Sequence, residues 1–167
     1  MRLFIALDPD PGTRQKLMDL QDRLRQAGWQ GNWTRSENLH LTLAFLGECT
    51  LAHKDRILRI LEESSFPRTQ LDFAGCSHFG SLWYAAFRQD PALTEAVYAL
   101  QQALRDAGLP VDTKPFVPHI TFLRRARIST PGAVRNLDLS FVLQTGRPVL
   151  YESRQTGGQL VYTPVTE

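Results

Sequence analysis

The chain has 167 residues, of which 43% are hydrophobic and 22% charged, and its formal net charge is +2. Such a composition is typical of a globular protein with a sizeable core, in one domain or in two small fused lobes. No segment approaches the run of about 18 consecutive apolar residues that a membrane-spanning helix needs, so such a helix is excluded. The small net charge excludes a general polyanion binder.

The first half of the chain predicts a strand, a helix and a second strand. Residues 1–7, MRLFIAL, form an apolar run before Asp8 that is too short for a signal peptide and predicts a buried strand. Leucines then recur at helical spacing over 17–24, and Gly28 suits the end of that helix. The segment His40-Leu41-Thr42-Leu43 alternates polar and apolar residues as a strand does.

The remainder of the chain predicts two more helices and a series of short strands. One helix is expected from near Thr50, with four apolar side chains buried, namely Leu51, Ile57, Leu58 and Leu61. Another is expected from Pro91 to Gly108. Strands are predicted at about 70–79, 82–88, 137–144, 147–153 and 159–163, with turns between antiparallel neighbours at Gly80-Ser81, Gly146-Arg147 and Gly157-Gly158. Helices mixed with hairpin-linked strands indicate an α+β fold.

The two halves of the chain resemble each other. Residues 20–28, LQDRLRQAG, match residues 100–108, LQQALRDAG, and His119 follows His40 by 79 residues. Phe4-Ile5-Ala6 before an Asp-Pro pair is also similar to Tyr84-Ala85-Ala86 before another. Three matches in one order indicate an internal repeat.

This repeat predicts the domain organisation. We expect a single domain over residues 1–167 with two interleaved lobes, built from repeat halves of roughly 1–80 and 81–167. The expected architecture is a duplicated, pseudo-twofold bilobal fold, in which two antiparallel sheets face a central cleft and the helices pack outside.

The repeated His-x-Thr segments are the candidate catalytic site. Side chains at i and i+2 of a strand share a face, so His40 projects with Thr42, and His119 projects with Thr121. Two imidazoles can form an acid–base pair, and two hydroxyls can donate to a charged oxygen. Either histidine alone would be read as a polar strand residue or a zinc ligand. No Asp, Glu or Cys stands at ligand spacing beside them, so no metal site is predicted.

Other reactive side chains have simpler interpretations. Cys49 and Cys76 fit neither a metal motif nor a disulfide framework, which favours a reducing cytoplasm. His53 falls in the second predicted helix and His78 in a strand, and we expect neither to be catalytic.

Two stretches closely resemble the paired HXTX motifs of the two-histidine phosphoesterase superfamily. They are residues 38–47, NLHLTLAFLG, and residues 116–124, FVPHITFLR. Within that superfamily the chain resembles the bacterial and archaeal RNA 2′,3′-cyclic phosphodiesterases, historically called 2′-5′ RNA ligases. The resemblance covers nearly the whole chain. Phe122 stands where an aliphatic residue is more usual, and we expect it to face away from the cleft.

The resemblance implies an activity and a set of partners. It implies metal-independent hydrolysis of RNA 2′,3′-cyclic phosphate ends to 2′-phosphates, with His40 as proton donor and His119 as proton acceptor. The reverse reaction would join RNA ends through a 2′-5′ linkage. The implied partner is RNA, tRNA fragments included, and the protein is expected to be a cytoplasmic monomer without cofactor, metal or membrane. From the residues alone, which histidine is the acid stays open.

Further residues are candidates for binding the substrate. Two hydroxyls and one guanidinium are expected to bind the phosphate, those of Thr42, Thr121 and Arg124. The residues expected to contact the RNA are Phe4, Trp33 and Arg127. A core position for each of the two aromatic residues, and a solvated position for Arg127, remain alternatives. Two other functions also remain open, a phosphodiesterase acting on small cyclic nucleotides and a catalytically silent module that binds RNA ends.

Overall fold

The computed structural model describes residues 1–112 and 114–167, and over these residues it contains three α-helices, two short 3-10 helices and nine strands. In chain order the elements are β1 Arg2–Leu7, α1 Pro11–Gln26, β2 Gln30–Trp33, β3 Leu41–Glu48, α2 Leu51–Glu63, β4 Gln70–Phe79, β5 Leu82–Phe87, α3 Pro91–Asp106, β6 His119–Arg127, β7 Val142–Gln144, β8 Val149–Thr156 and β9 Gln159–Pro164. The α+β class predicted from the sequence is confirmed. None of the helices over the described ranges is both long and apolar enough to span a bilayer.

The strands form one antiparallel sheet. Their order is β7-β4-β5-β6-β3-β1-β8-β9, and β2 also pairs with β6. The sheet is continuous because β3 and β6 meet at the pair Leu41 and Ile120. The prediction of two separate sheets is therefore wrong. Strand β4 lies among strands of the second half of the chain, and β8 and β9 lie beside β1.

Helices α1 and α3 begin and end in the same way. Each has 16 residues, and the side chains of Asp10 and Asp90 cap their first turns by accepting from backbone N–H groups. Each helix is followed closely by a glycine in the left-handed region, Gly28 at φ 91° and Gly108 at φ 82°.

A buried glutamine ties each of these helices to a strand that carries a His-x-Thr segment. Gln21 of α1 donates from Nε2 to the carbonyl of Phe122 in β6 at 3.0 Å. Gln101 of α3 donates from Nε2 to the carbonyl of Leu43 in β3 at 2.9 Å. The leucines of both helices pack against one face of the sheet and form the core there. Phe122 is fully buried in this core, as expected. The opposite face of β3 and β6 is therefore left for a site.

Two sequence predictions about single side chains and short strands were wrong. Leu51 is 67% exposed, because it is the first residue of α2 and stands directly after the cap Thr50, whereas Ile57 in the middle of the helix is fully buried. The strand expected at 137–144 is confined to Val142–Gln144, the part that pairs with β4.

The expected turn at Gly146-Arg147 does not join neighbouring strands. Strand β7 pairs with β4, and β8 pairs with β1 and β9, so β7 and β8 lie in opposite halves of the strand order. The segment between them crosses from one part of the sheet to the other.

Candidate active site

The junction of β3 and β6 brings both His-x-Thr segments onto one face of the sheet. Leu41 and Ile120 are paired and fully buried in the core. In this antiparallel register His40 lies beside Thr121, and Thr42 lies beside His119. Because alternate residues point to opposite faces, all four side chains project away from the core.

His119 has its ring oriented by a backbone carbonyl. Its Nδ1 lies 2.6 Å from the carbonyl oxygen of Val117, which can only accept a hydrogen bond. Nδ1 of the neutral ring therefore carries the proton, and Nε2 is left with a lone pair. The ring also stands edge-on to Tyr84 at 5.0 Å and to Phe79 at 6.3 Å between centroids.

His40 has the opposite arrangement of hydrogen bonds. Its side chain is 4% exposed, and Nε2 lies 2.8 Å from Oδ1 of Asp8. An ionised carboxylate accepts only, so Nε2 carries a proton. Nδ1 is buried and has no hydrogen-bond partner among the described residues. The two histidines of the site therefore differ in which ring nitrogen holds the proton.

A tyrosine holds the carboxylate that faces His40. The hydroxyl of Tyr151 in β8 donates to Oδ1 of Asp8, the same oxygen that receives the bond from His40. The hydrogen bond from His40 lowers the pKa of Asp8, against the effect of burial and with help from Tyr151, so Asp8 is ionised at neutral pH. Burial and the Asp8 carboxylate raise the pKa of Tyr151, which keeps its hydroxyl protonated.

Sequence reasoning missed both Asp8 and Tyr151. A signal for Asp8 was available, because Asp8 stands two residues after Ala6, which pairs with Thr42. A strand that continued in phase would carry Asp8 on the catalytic face. Nothing local marks Tyr151, which lies 143 residues further along the chain.

Aromatic rings surround His40. Tyr151 lies 4.5 Å from its ring, Tyr162 5.7 Å and Phe4 6.3 Å between centroids. Phe4 therefore lies beside the ring of His40, and it is 5% exposed and packs in a small buried cluster with Ala6 and Tyr151, which is the core position left open by the sequence.

The exposed rings of this region are Phe45 and Phe79. Phe45 is 61% exposed and lies 6.3 Å from Phe4, on the His40 side. Phe79 is 59% exposed and stacks on Tyr84 at 4.9 Å, on the His119 side.

Arg124 lies on the same face as the histidines. It is exposed, and its positive charge acts on Tyr162, where it opposes the increase in pKa that burial causes. Since Tyr162 packs beside the ring of His40, the guanidinium is near the catalytic pair.

The structure does not bring Trp33 and Arg127 to the histidines. The guanidinium of Arg25, on α1, lies 4.7 Å from the ring of Trp33. Trp33 pairs with the buried Leu123 and packs against the main core, on the helical side of the sheet. The guanidinium of Arg127 is 3.5 Å from Oε1 of Gln30, near the end of β6.

Other candidate nucleophiles and ligands have structural roles. Burial raises the pKa of Cys49, and it raises the pKa of Cys76 to about 12, so neither thiol is a reactive thiolate at neutral pH. His53 completes a capping box with Thr50, and His78 stacks on Trp83 at 4.5 Å. Within residues 1–112 and 114–167, His, Cys, Asp and Glu form no group of three that could hold a metal ion.

Comparisons with known proteins agree with this arrangement. Residues 7–84 match the family model described as LigT like Phosphoesterase. An RNA 2′,3′-cyclic phosphodiesterase of Escherichia coli is 30% identical over 98% of this chain and 93% of its own length. One from Archaeoglobus fulgidus is 33% identical over 76% of this chain and 74% of its own.

Solved structures show the same fold. The crystal structure of E. coli LigT complexed with 3′-AMP has a TM-score of 0.81 and 26% identity, covering 98% of this chain and 94% of that one. The apo form of E. coli LigT has a TM-score of 0.80 and 27% identity over the same shares. Fold and sequence together define a two-histidine phosphoesterase. The chain belongs to the LigT-like phosphoesterase family, and it is a hydrolase of phosphodiester bonds.

Proposed function

We propose that this protein hydrolyses the 2′,3′-cyclic phosphate at the end of an RNA chain to a 2′-phosphate, with His119 as the base and His40 as the acid. The observation that carries the proposal is the opposite proton placement on two histidines of one sheet face. The names of the relatives support the reaction, since they are RNA 2′,3′-cyclic phosphodiesterases.

The base takes a proton from the attacking water. With Nδ1 donating to the carbonyl of Val117, the neutral ring of His119 has a free lone pair on Nε2. The water oxygen forms a bond to phosphorus while its proton moves to this nitrogen.

The acid protonates the leaving group. His40 acts as the doubly protonated imidazolium: the bond between phosphorus and the 3′-oxygen breaks, that oxygen takes the proton from Nε2, and a neutral ring protonated on Nδ1 remains. Nδ1 of His40 is buried, so the leaving oxygen takes the place that Asp8 holds in the free protein as acceptor of the Nε2 proton. The ribose keeps the phosphate on its 2′-oxygen.

Hydroxyls and a guanidinium stabilise the phosphoryl group. Thr42 and Thr121 stand beside the histidines across the β3–β6 junction, where their hydroxyls can donate to the non-bridging oxygens. Arg124 adds a positive charge on the same face, which suits an anionic substrate.

The exposed rings favour an RNA end over a small cyclic phosphodiester. Phe79 and Phe45 lie on the His119 and His40 sides respectively, where they can stack on the bases flanking the phosphate. Phe4 packs against Phe45 and is buried, so it does not itself stack on a base. Arg127, further along β6, is exposed and suits a backbone phosphate.

We also propose that the site catalyses the reverse reaction and that the protein is a monomer. A ribose 5′-hydroxyl in place of water would form a 2′-5′ linkage at the same site, and tRNA fragments are candidate substrates. One chain of 167 residues contributes both histidines, which supports a single domain of two related halves, roughly 1–80 and 81–167, acting as a monomer.

Product analysis tests the proposal. An oligonucleotide with a 2′,3′-cyclic phosphate is incubated with the protein in EDTA, and the product is identified by ³¹P NMR. We expect a 2′-phosphate. Recovery of a 3′-phosphate would reverse the assigned roles, and no turnover would contradict the proposal.

Matched histidine variants complete the test. We expect His40→Ala and His119→Ala each to lower kcat by about 10²–10⁴, the usual contribution of a general acid or base. His53→Ala is the control, because His53 caps α2 away from the site. Activity that survives both catalytic substitutions would contradict the proposal.

A further inference from the structure

We propose that Arg127 and Asn32 form a second phosphate subsite, which binds the phosphodiester on the 5′ side of the terminal nucleotide and makes the enzyme selective for RNA ends over cyclic mononucleotides. The proposal rests on the proposed function, since it names the part of that RNA substrate that lies beyond the reacting phosphate. The subsite exists because strand β6 departs twice from regular alternation after Thr121.

The first irregularity of β6 turns Arg124 to the catalytic face. Phe122 and Leu123 follow one another in the strand, yet both are fully buried. The pairing of β6 with β5 shifts by one residue between Thr121 and Leu123. Such a β-bulge reverses the alternation of side chains. Arg124, instead of Leu123, therefore follows Thr121 on the open face.

The second irregularity of β6 returns Arg127 to the same face. The pairing of β6 with β2 shifts between Arg124 and Arg127, so that three steps of β6 match two steps of β2. Arg125 lies in this bulge at φ 52°, the one positive φ of a non-glycine residue within the described chain. Residues with such a φ cluster at binding and catalytic sites. Ala126 and Ile128 pack against the core, so Arg127 between them points to the catalytic face.

Strand β2 adds two amides beside these arginines. Paired residues of neighbouring strands share a face, so Asn32 lies beside Arg124, and Gln30 lies beside Arg127. Both amides are exposed, and Oε1 of Gln30 lies 3.5 Å from the guanidinium of Arg127. Gln30 therefore orients Arg127, and the NH2 group of Asn32 provides a further donor to a phosphate oxygen.

The three arginines of β6 keep their positive charge for a ligand. Every ion pair found within residues 1–112 and 114–167 uses other cations. Arg124 and Arg127 are two steps of β2 apart, which is about 7 Å along a strand. At this separation each guanidinium can bind a different phosphate of one chain.

The direction of β6 indicates which phosphate reaches Arg127. Thr121 lies beside His40, and β6 continues from this pair to Arg127. The proposed reaction places the leaving 3′-oxygen, and with it the terminal ribose, on the side of His40. The 5′-oxygen of that ribose carries the next phosphodiester of the RNA. This phosphodiester is therefore the group that the end of β6 can bind.

Substrate length provides the first test. A cyclic mononucleotide lacks the upstream phosphate, whereas a dinucleotide with a 2′,3′-cyclic phosphate has one. We expect the wild type to prefer the dinucleotide in kcat/KM, through a lower KM. Arg127→Ala should reduce this preference about 10-fold, which corresponds to one hydrogen bond to a charged group, and Asn32→Ala should reduce it less. A wild type without the preference, or an unchanged preference in Arg127→Ala, would overturn the proposal.

Two further arginine variants are the controls for this test. Arg124→Ala should lower kcat/KM on both substrates and keep the preference, because Arg124 is assigned to the reacting phosphate. Arg59→Ala removes an exposed arginine of α2, away from β6, and should behave as the wild type on both substrates. A loss of preference in Arg59→Ala equal to that in Arg127→Ala would refute a local subsite.

Binding without turnover separates the subsite from the proposed reaction. The probe is a dinucleotide that ends in a 2′-phosphate, compared with the same compound carrying an uncharged methylphosphonate at the internal position. The wild type should bind the neutral form about 10-fold less tightly, and Arg127→Ala should distinguish the two forms much less. Arg127→Ala should also reduce the slope of log affinity against log salt by about 0.7. Equal discrimination by both proteins would refute the subsite, whereas normal discrimination without turnover would refute only the reaction.

The conformation of Arg125 can be tested apart from its charge. Arg125→Gly and Arg125→Val both remove the guanidinium, but glycine adopts a positive φ freely and a β-branched residue does not. Arg125→Gly should therefore keep the preference for the dinucleotide. Arg125→Val should reduce both this preference and the thermal midpoint. Equal preferences in the two variants would contradict the placement of Arg127 by the bulge.

Discussion

Leu41 of β3 and Ile120 of β6 form a buried antiparallel pair, and this pair determines the geometry of the site. Each is the residue between a histidine and a threonine. Their pairing therefore sets the histidine of one motif beside the threonine of the other. A shift of one residue in the register between β3 and β6 would turn the histidine and threonine of one motif toward the core.

The threonines at this junction can be tested by removing the hydroxyl while keeping the shape. Thr42→Val and Thr121→Val should each lower kcat by about 10²–10³, because each removes a donor to the charge that builds on phosphorus. Steady-state kinetics on a cyclic-phosphate oligonucleotide measure the effect. Thr163→Val is the control, since Thr163 is an exposed strand threonine in β9. A wild-type kcat in either catalytic variant would contradict the assigned role.

Local patterns predicted most elements and the residues that form the centre of the site. Leucine spacing and flanking Pro and Gly located α1 and α3, and alternation located the strands that carry His40 and His119. These features depend on neighbouring residues, so a single sequence contains them.

Pairing between distant segments could not be predicted in the same way. The sequence gives no sign that β3 and β6 join into one sheet, because a strand pattern specifies a buried face and not a neighbour. The bond between Asp8 and Tyr151 spans 143 residues and appears only once β8 lies beside β1. Trp33 was assigned to the cleft for a related reason, since its face depends on how β2 pairs with β6.

A glycine opposite Arg124 offers a test of how that arginine is held. Gly31 has φ 146°, and a Cβ there would lie 2.8 Å from the carbonyl oxygens of Arg124 and Arg125. Gly31→Ala should therefore strain the β2–β6 pairing by about 1–3 kcal/mol and displace Arg124. We expect a lower thermal midpoint together with a lower kcat/KM on the cyclic-phosphate oligonucleotide.

The matched control for this change is Gly132→Ala. A Cβ at Gly132 meets no atom within 4 Å, and its φ lies outside the left-handed region. This variant should keep both stability and activity. If Gly31→Ala behaves in the same way, the pairing of β2 with β6 does not position Arg124.

The buried glutamines should stabilise the fold to different degrees. Gln21→Leu removes bonds to the carbonyls of Thr34 and Phe122, and we expect it to lower the free energy of unfolding by about 1–3 kcal/mol. Gln101→Leu removes one bond, to Leu43, and also removes an Oε1 that has no partner in the described part of the chain. The loss at Gln101 should therefore be smaller.

Chemical denaturation measures these differences. The exposed glutamines Gln15 and Gln102 lie on the same two helices and provide controls, for which we expect changes within about 0.5 kcal/mol on substitution by Leu. A larger loss at Gln101 than at Gln21 would contradict the explanation from the number of hydrogen bonds lost.

The lowered pKa of Asp8 predicts how its contribution to stability depends on pH. The hydrogen bond from His40 lowers the pKa of Asp8 below its ordinary value of 3.8 in the folded protein. The unfolded chain therefore binds this proton more readily, and the contribution is present above about pH 4 and lost as the pH falls further. The difference in the free energy of unfolding between wild type and Asp8→Ala, measured by urea titration, should shrink over this acidic range. A difference that stays constant or grows on acidification would show that the carboxylate of Asp8 is not stabilised by His40 and Tyr151 in the folded state.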